Sequence, residues 1–279
     1  MKRIVSIQDI SCLGKCSLTV ALPIISAMGI ETSIVPTAVL STHTKFNNFT
    51  FRDLTDDMPS IKNHWIDEGF KFDAIYTGYL GSKKQVDIVS DYFDTFGNDK
   101  NFIIMDPAMA DNGNMYTGFS EDFAINMARL CGKADIILPN ISEACFMLGI
   151  DYVGEDASVD TIKSLLLKLQ TLGCKISVIT GVGLDDDTFG FVGYNKTTEE
   201  FFMYGTKEIP MKSHGTGDVF ASTFTGALMN DFSVFDSLKI AADFTYLCIQ
   251  DTYNDPFAVD YAVNFETQIP NLLKMINKN

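Results

Sequence analysis

Short runs of β-branched and apolar residues alternate along the chain with stretches whose apolar positions recur every three to four residues. This alternation marks βαβ units, in which parallel strands are joined by helices that cover the faces of a sheet. The pattern predicts strands at about 2–8, 31–36, 73–77, 101–106, 134–138 and 176–180. Between them it predicts helices at about 17–28, 57–67, 82–96, 119–131, 141–148 and 158–172, the last with Ile162, Leu165, Leu166 and Leu169 on one face. From Thr188 the rhythm changes. Two strand-like runs, Thr188 to Tyr194 and Glu199 to Tyr204, flank the polar segment from Asn195 to Thr198, the outline of an antiparallel hairpin. Helices at about 216–229, 234–252 and 265–277 close the chain. No linker, repeat or charge block interrupts it, so residues 1–279 read as one α/β domain with a mainly parallel central sheet.

Charge narrows the partners. The chain carries 36 acidic against 21 basic side chains, a net charge of −15, and no Lys/Arg block supplies the cationic face that nucleic acid or an anionic membrane requires. The N-terminal segment turns polar at Gln8-Asp9, and no stretch approaches the ~18 apolar residues of a membrane span, so a cytoplasmic protein is expected. The six cysteines, at 12, 16, 131, 145, 174 and 248, contain no C-x-x-C pair; reduced thiols are expected, without disulfides or structural zinc.

Two common nucleotide signatures are missing. G-x-x-x-x-G-K-[ST] does not occur, and the first strand leads into Gln8-Asp9-Ile10-Ser11-Cys12-Leu13-Gly14, which lacks G-x-G-x-x-G. A different segment carries phosphate chemistry: His214-Gly215-Thr216-Gly217-Asp218-Val219-Phe220, a turn of small residues running into an apolar helix. Its glycines allow close backbone approach, and the free N–H groups of a helix start make an anion hole. Asp218 falls in the first turn, where the helix dipole is expected to keep it ionised and of low pKa. The plain structural alternative makes Thr216 an N-cap and Asp218 a dipole-compensating side chain. Asp106 and Asp111 follow a buried apolar strand, and Asn140 and Glu143 follow the next, at the sheet edge where open α/β folds bind ligands. Singly, Asp106 before Pro107 is a strand-ending turn and Asn140 with Glu143 a capping box. Jointly, at successive strand ends, Asp106, Asp111 and Glu143 are a candidate Mg²⁺ set.

These segments resemble the ribokinase-like superfamily and, over nearly the full length, its pyridoxal/pyridoxamine kinase branch. The GTGD segment is the superfamily's motif; Ser41-Thr42-His43-Thr44, Tyr76-Thr77-Gly78-Tyr79-Leu80-Gly81 and Asp106-Pro107 point to the vitamin B6 branch. The resemblance implies a three-layer α/β/α sandwich and ATP-dependent phosphorylation of the 5′-hydroxymethyl group of a pyridine. It implies Asp218 as the base and Gly215, Thr216 and Gly217 as the anion hole. It further implies Asp106, Asp111 and Glu143 as the Mg²⁺–phosphate group, Asn140 and Thr180 as contacts to ATP phosphates, and Asp9, Thr44 and Tyr79 around the ring. Asp9 stands where many relatives have serine, Ala110 where they often have glycine, and Gly181 where some have serine. His43 reads as a hydrogen-bonded structural residue. Some relatives need K⁺ and many form homodimers, but no segment of this sequence identifies either site. Since a −15 protein repels ATP at long range, binding is expected to use local positive potential from Mg²⁺, the helix N-terminus and Lys212. Hydroxymethylpyrimidine kinases share this chemistry and differ in the pocket. A non-catalytic B6-binding protein has no use for Asp218 together with three metal-side acids.

Overall fold

The computed structural model describes residues 1–211 and 213–277. In chain order the elements are β1 (Arg3–Ser11), α1 (Leu18–Ala27), β2 (Glu31–Leu40), β3 (Phe51–Asp53), α2 (Met58–Asp67), β4 (Ala74–Thr77), α3 (Lys83–Phe96) and β5 (Phe102–Met105). They continue with β6 (Ala110–Asp111), β7 (Asn114–Met115), α4 (Glu121–Cys131), β8 (Ile136–Ile137), α5 (Ile141–Leu148), α6 (Val159–Leu169) and β9 (Ile176–Gly183). The hairpin β10 (Thr188–Asn195) and β11 (Glu200–Lys207) is followed by α7 (Thr216–Met229), α8 (Val234–Asn254) and α9 (Ile269–Ile276).

Nine strands form one sheet in the order β11-β10-β9-β8-β5-β4-β1-β2-β3. The strands from β9 to β2 in that order pair in parallel, while β3, β10 and β11 join antiparallel. Helices cover both faces, as the alternation of apolar runs and helical patterns requires. Val5, Ile7, Ile75 and Met105 pack on one face against Val86 and Val89 of α3, Met127 of α4 and Leu166 of α6. Ile4, Tyr76, Ile104 and Val178 point to the other, against Ile25 of α1, Phe224 of α7 and Leu238 of α8. Successive side chains of a strand alternate between faces, so Ile4 and Val5 are both fully buried, on opposite sides. The layers are those of a ribokinase-like α/β/α sandwich.

After β1 the chain crosses to β2 on one side, and from β4 onward it builds out on the other, so the topological switch point lies between β1 and β4. The strand ends approach closely there. A Cβ on Gly78 would sit 2.5 Å from Oε1 of Gln8, so a side chain after β4 would displace the buried Gln8 amide.

Four differences from the sequence expectation stand out. β1 extends past residue 8 to Ser11, because Gln8, Asp9 and Ser11 are buried polar positions that interrupt the apolar pattern without ending the strand. The short β3 is exposed at all three residues and carries no periodic signal. A small ribbon, β6 with β7, turns at Asn112-Gly113, both with positive φ (49° and 73°), as a two-residue type I′ hairpin requires. At the C-terminus, a 3₁₀ turn at Glu266–Gln268 delays the start of α9 to Ile269.

Candidate active site

The parallel strands deliver their carboxyl ends to one edge, and the chemistry-bearing side chains gather there. The start of α7 is the first part. Gly215 precedes it with φ 80°, and a Cβ would stand 2.5 Å from the Lys15 carbonyl oxygen, so both conformation and space demand glycine. No side chain caps this helix, which removes Thr216 from the N-cap role and leaves the first N–H groups free for a ligand. Nothing lies within 4 Å of where a Cβ on Gly217 would be, so the approach to that backbone is open. Lys212, the cation expected beside this turn, lies outside the described residues.

Under that helix start passes the loop between β1 and α1, with positive φ at Gly14, Lys15 and Ser17. Ser17, at φ 53° and ψ −128°, is held in a backbone region that a serine rarely occupies. The conformation lets one residue serve two acids. Its backbone N–H faces the carboxylate of Asp218 and its hydroxyl faces that of Asp9, each easing the burial of the charge. The Ser11 hydroxyl donates to Asp9, at 2.9 Å from Oδ2.

The second part lies at the ends of β5 and β8. Asp106 follows β5 directly, its N–H bonded to the Thr77 carbonyl at 2.9 Å. Asn140 and Glu143 form the capping box of α5. The Glu143 N–H donates to Asn140 Oδ1 at 2.9 Å, and the Asn140 N–H donates to Glu143 Oε2 at 2.9 Å. Met109 N–H donates to Glu143 Oε1 at 3.1 Å. Asn140 Nδ2 donates to the Ala110 carbonyl at 2.8 Å, which pins the β6–β7 ribbon to this corner. Thus Asn140 is both the structural cap and a site-edge residue, with one amide hydrogen left over. Thr180, near the end of β9, bridges in parallel to Asn140 and is half-buried. Gly181 beside it has φ 72°, the left-handed conformation that a serine there would strain to adopt.

Four acids therefore meet in a poorly solvated region. Asp9, Asp106 and Glu143 are 4%, 9% and 3% exposed, and among the described residues none of them, nor Asp218, belongs to an ion pair. Burial, opposed by the Ser17 N–H and reinforced by the charge of Asp9, pushes Asp218 up to about 7. Loss of hydration thus works against the helix dipole expected to keep it low. Burial, followed by the charges of Glu143 and Asp218, raises Asp106 well above the carboxylate range. Glu143 rises to about 8, against the pull of its backbone donors.

The expected metal set is gathered only in part. Asp106 and Glu143 adjoin, and Asp111, exposed on the ribbon, is near enough for its charge to raise Glu143. Among the described residues no three His, Cys, Asp or Glu side chains form a ready-made metal centre. On the ring side, Tyr79 is close enough to Asp9 to feel its charge, and burial with that charge raises its hydroxyl to about 12. Its ring lies 5.5 Å from that of Phe119. Thr44 is exposed in the loop after β2. His43 beside it is buried: its Nδ1 accepts the Lys45 N–H at 3.2 Å, so Nε2 donates to the Tyr261 carbonyl at 3.1 Å. That is the structural role expected of it.

Sequence reasoning missed two tyrosines and Ser17. Burial raises the Tyr116 hydroxyl strongly, and Glu143, Asp111, Asp106 and Asp218 all add to the effect, so this side chain looks onto the acid cluster from the ribbon. Tyr76, fully buried beside Ser222 and Gln8, is raised by burial and by Asp106 and Asp218. The Asn112-Gly113 turn signal was available to place the ribbon that carries Tyr116; the pairing of Ser17 with two distant acids had no local signal.

Fold and family together are those of a kinase. The sequence model of the phosphomethylpyrimidine kinase family matches residues 22–258, and the chain belongs to that family. Within the ribokinase-like superfamily it falls in the pyridoxal kinase branch. It is similar to a Bacteroides thetaiotaomicron protein provisionally named a phosphomethylpyrimidine kinase, in a crystal form with pyridoxal (37% identity, 97% of this chain and 95% of that one, TM-score 0.92). It is also similar to the crystal structure of pyridoxal kinase from Lactobacillus plantarum (27% identity, 99% and 98% covered, TM-score 0.90). Pyridoxal kinase PdxY of Histophilus somni is 24% identical over 266 residues, 91% of this chain and 90% of that protein.

The raised acids make stability depend on pH with a definite sign. A carboxyl that holds its proton more tightly when folded stabilises the fold fully below its unfolded pKa, near 4, and loses that contribution as pH rises through its folded value. For Asp218 that value is about 7. Substrate-free protein should therefore lose stability between about pH 5 and about pH 8, and Asp218→Asn, which cannot ionise, should lose less over the same interval. Thermal unfolding across that range checks this; parallel Tm curves for the two proteins would contradict it.

Proposed function

We propose that this protein transfers the terminal phosphoryl group of ATP to the 5′-hydroxymethyl group of a vitamin B6 pyridine, that is pyridoxal, pyridoxamine or pyridoxine. The observation that carries the reading is Asp218 at the uncapped start of α7, beside an open Gly217 backbone and charge-coupled to Asp106. In this reading the Asp218 carboxylate takes the hydroxyl proton as the new O–P bond forms and the bond to ADP breaks. A base with pKa about 7 suits that role better than a strongly acidic carboxylate, because proton affinity then matches the operating pH. The N–H groups of Gly215, Thr216 and Gly217 hold the charge of the phosphoryl group in flight, where positioning and electrostatic stabilisation dominate.

Buried acids without a counter-charge suit a divalent cation. Asp106 and Glu143, with Asp111 at the rim, would hold Mg²⁺, one or two carboxylates plus nucleotide phosphates being its usual company. The ion supplies charge neutralisation between the phosphates and the acids. Asn140 and Thr180 border the nucleotide phosphates, while Asp9, Thr44 and Tyr79 border the ring, with Tyr79 offering an aromatic face to a flat heterocycle. The likeness to the Bacteroides thetaiotaomicron protein crystallised with pyridoxal supports the ring assignment. Cytoplasmic location and a homodimer complete the reading; no described helix is long and apolar enough to cross a membrane.

ATP consumption measured side by side with pyridoxal, pyridoxamine, pyridoxine and hydroxymethylpyrimidine tests the substrate. The B6 compounds should have the larger kcat/KM, and a preference for hydroxymethylpyrimidine would assign the protein to the other branch of its family. For the base, Asp218→Asn should lower kcat by roughly 10²–10⁴ with nucleotide affinity nearly unchanged. A variant keeping more than about half of the wild-type kcat would remove Asp218 from the chemistry.

A further inference from the structure

Asp9 is not explained by phosphoryl transfer. It lies late in β1 at the topological switch point, on the ring side of the site, 4% exposed and beside Tyr79. Its neighbours are neutral donors: the hydroxyls of Ser11 and Ser17 and its own backbone N–H. Among the described residues no Lys, Arg or His forms an ion pair with it, and its charge adds to that of Asp218. A structural acid buried this deeply is ordinarily matched by a cation, because neutral hydrogen bonds replace only part of lost hydration. Here a cation that enters the pocket would supply the missing charge and hold Asp9 ionised.

The three B6 compounds share ring, phenol and 5′-hydroxymethyl group, and differ at one substituent. Pyridoxamine carries an aminomethyl group, protonated at neutral pH. Pyridoxine carries a hydroxymethyl of nearly the same size, and pyridoxal an aldehyde. Only the first brings positive charge at that position.

We propose that Asp9 is a specificity-determining residue that makes the ring pocket favour a pyridine bearing a protonated alkylamine, so that pyridoxamine is the preferred vitamer. The inference rests on the reading of the protein as a vitamin B6 kinase and adds which member of the class it selects. Asp9 accepts the ammonium while Ser11 and Ser17 keep the carboxylate oriented. The same Ser17 positions Asp218, so the residue that reads the substituent and the residue that takes the proton hang on one rigid turn.

The test compares kcat/KM for pyridoxamine and pyridoxine in wild type, Asp9→Asn and Asp9→Ser. The asparagine keeps the shape and an oxygen for the serine hydroxyls. Because each ratio is taken within one preparation, a partly unfolded variant does not distort it. Wild type should use pyridoxamine at least as well as pyridoxine, and both variants should lower the pyridoxamine-to-pyridoxine ratio by roughly tenfold or more, mainly through KM for pyridoxamine. Variants whose ratio falls by less than about tenfold, or a wild type that prefers pyridoxine, overturn the role of Asp9 and leave the vitamin B6 kinase reading intact. If wild type phosphorylates neither compound, the kinase reading itself falls, and this inference with it.

Discussion

Three buried carboxyl groups, Asp9, Asp106 and Glu143, and the half-buried Asp218 are gathered in one corner with no basic side chain of the described chain to offset them. Like charges in low dielectric cannot all ionise, so protons or an incoming cation must complete the site. The local structure around each acid follows from this. Glu143 receives two backbone N–H groups through a capping box and the Met109 amide, and Asp218 and Asp9 share Ser17. These donors hold the carboxyls in place without neutralising them, which leaves the charge requirement for ligands to fill.

The fold makes such a corner tolerable. Six parallel strands bring their carboxyl ends to one edge, so Asp9, Asp106, Asn140 and Thr180 arrive on neighbouring or nearby strands without long loops. The helix carrying Asp218 is buried along its length from Val219 to Met229, so its start cannot drift relative to the sheet. Large apolar side chains such as Phe224 lock it against β4 and β5, and the contact of Gly215 with the Lys15 carbonyl fixes the loop below it. Polar groups that weaken the site corner are carried by an apolar body on both faces of the sheet. This division between a rigid apolar scaffold and a charge-loaded edge is why the strained conformation of Ser17 can persist.

Most of this architecture was legible in the chain. Apolar runs located the six parallel strands, and 3.6-residue periodicity located α3 and α6, whose first serines, Ser82 and Ser158, accept the Gln85 and Thr161 amide N–H groups as caps. What escaped was whatever lacks period. The exposed β3 and the two-residue strands of the ribbon are too short to repeat, and β1 was cut short because its buried Gln8, Asp9 and Ser11 look like the start of a loop. The residues that broke the pattern are those that build the pocket. In the site, GTGD and the strand-end acids could be read from composition and position, but their ionisation could not. The dipole argument for a low Asp218 pKa used only its own helix, whereas the deciding facts are burial and Asp9, more than two hundred residues earlier in the chain.

On the proposed reading, the acid corner keeps its protons until a cation arrives. Binding of the magnesium complex of ADP at about pH 7 should then expel protons from the Asp106–Glu143 pair, since a metal competes with protons for the same oxygens. Titration calorimetry in two buffers of different ionisation enthalpy measures that exchange directly. Net proton release by the wild type that disappears in Glu143→Gln is the result this account predicts; binding with no proton exchange in the wild type would contradict it.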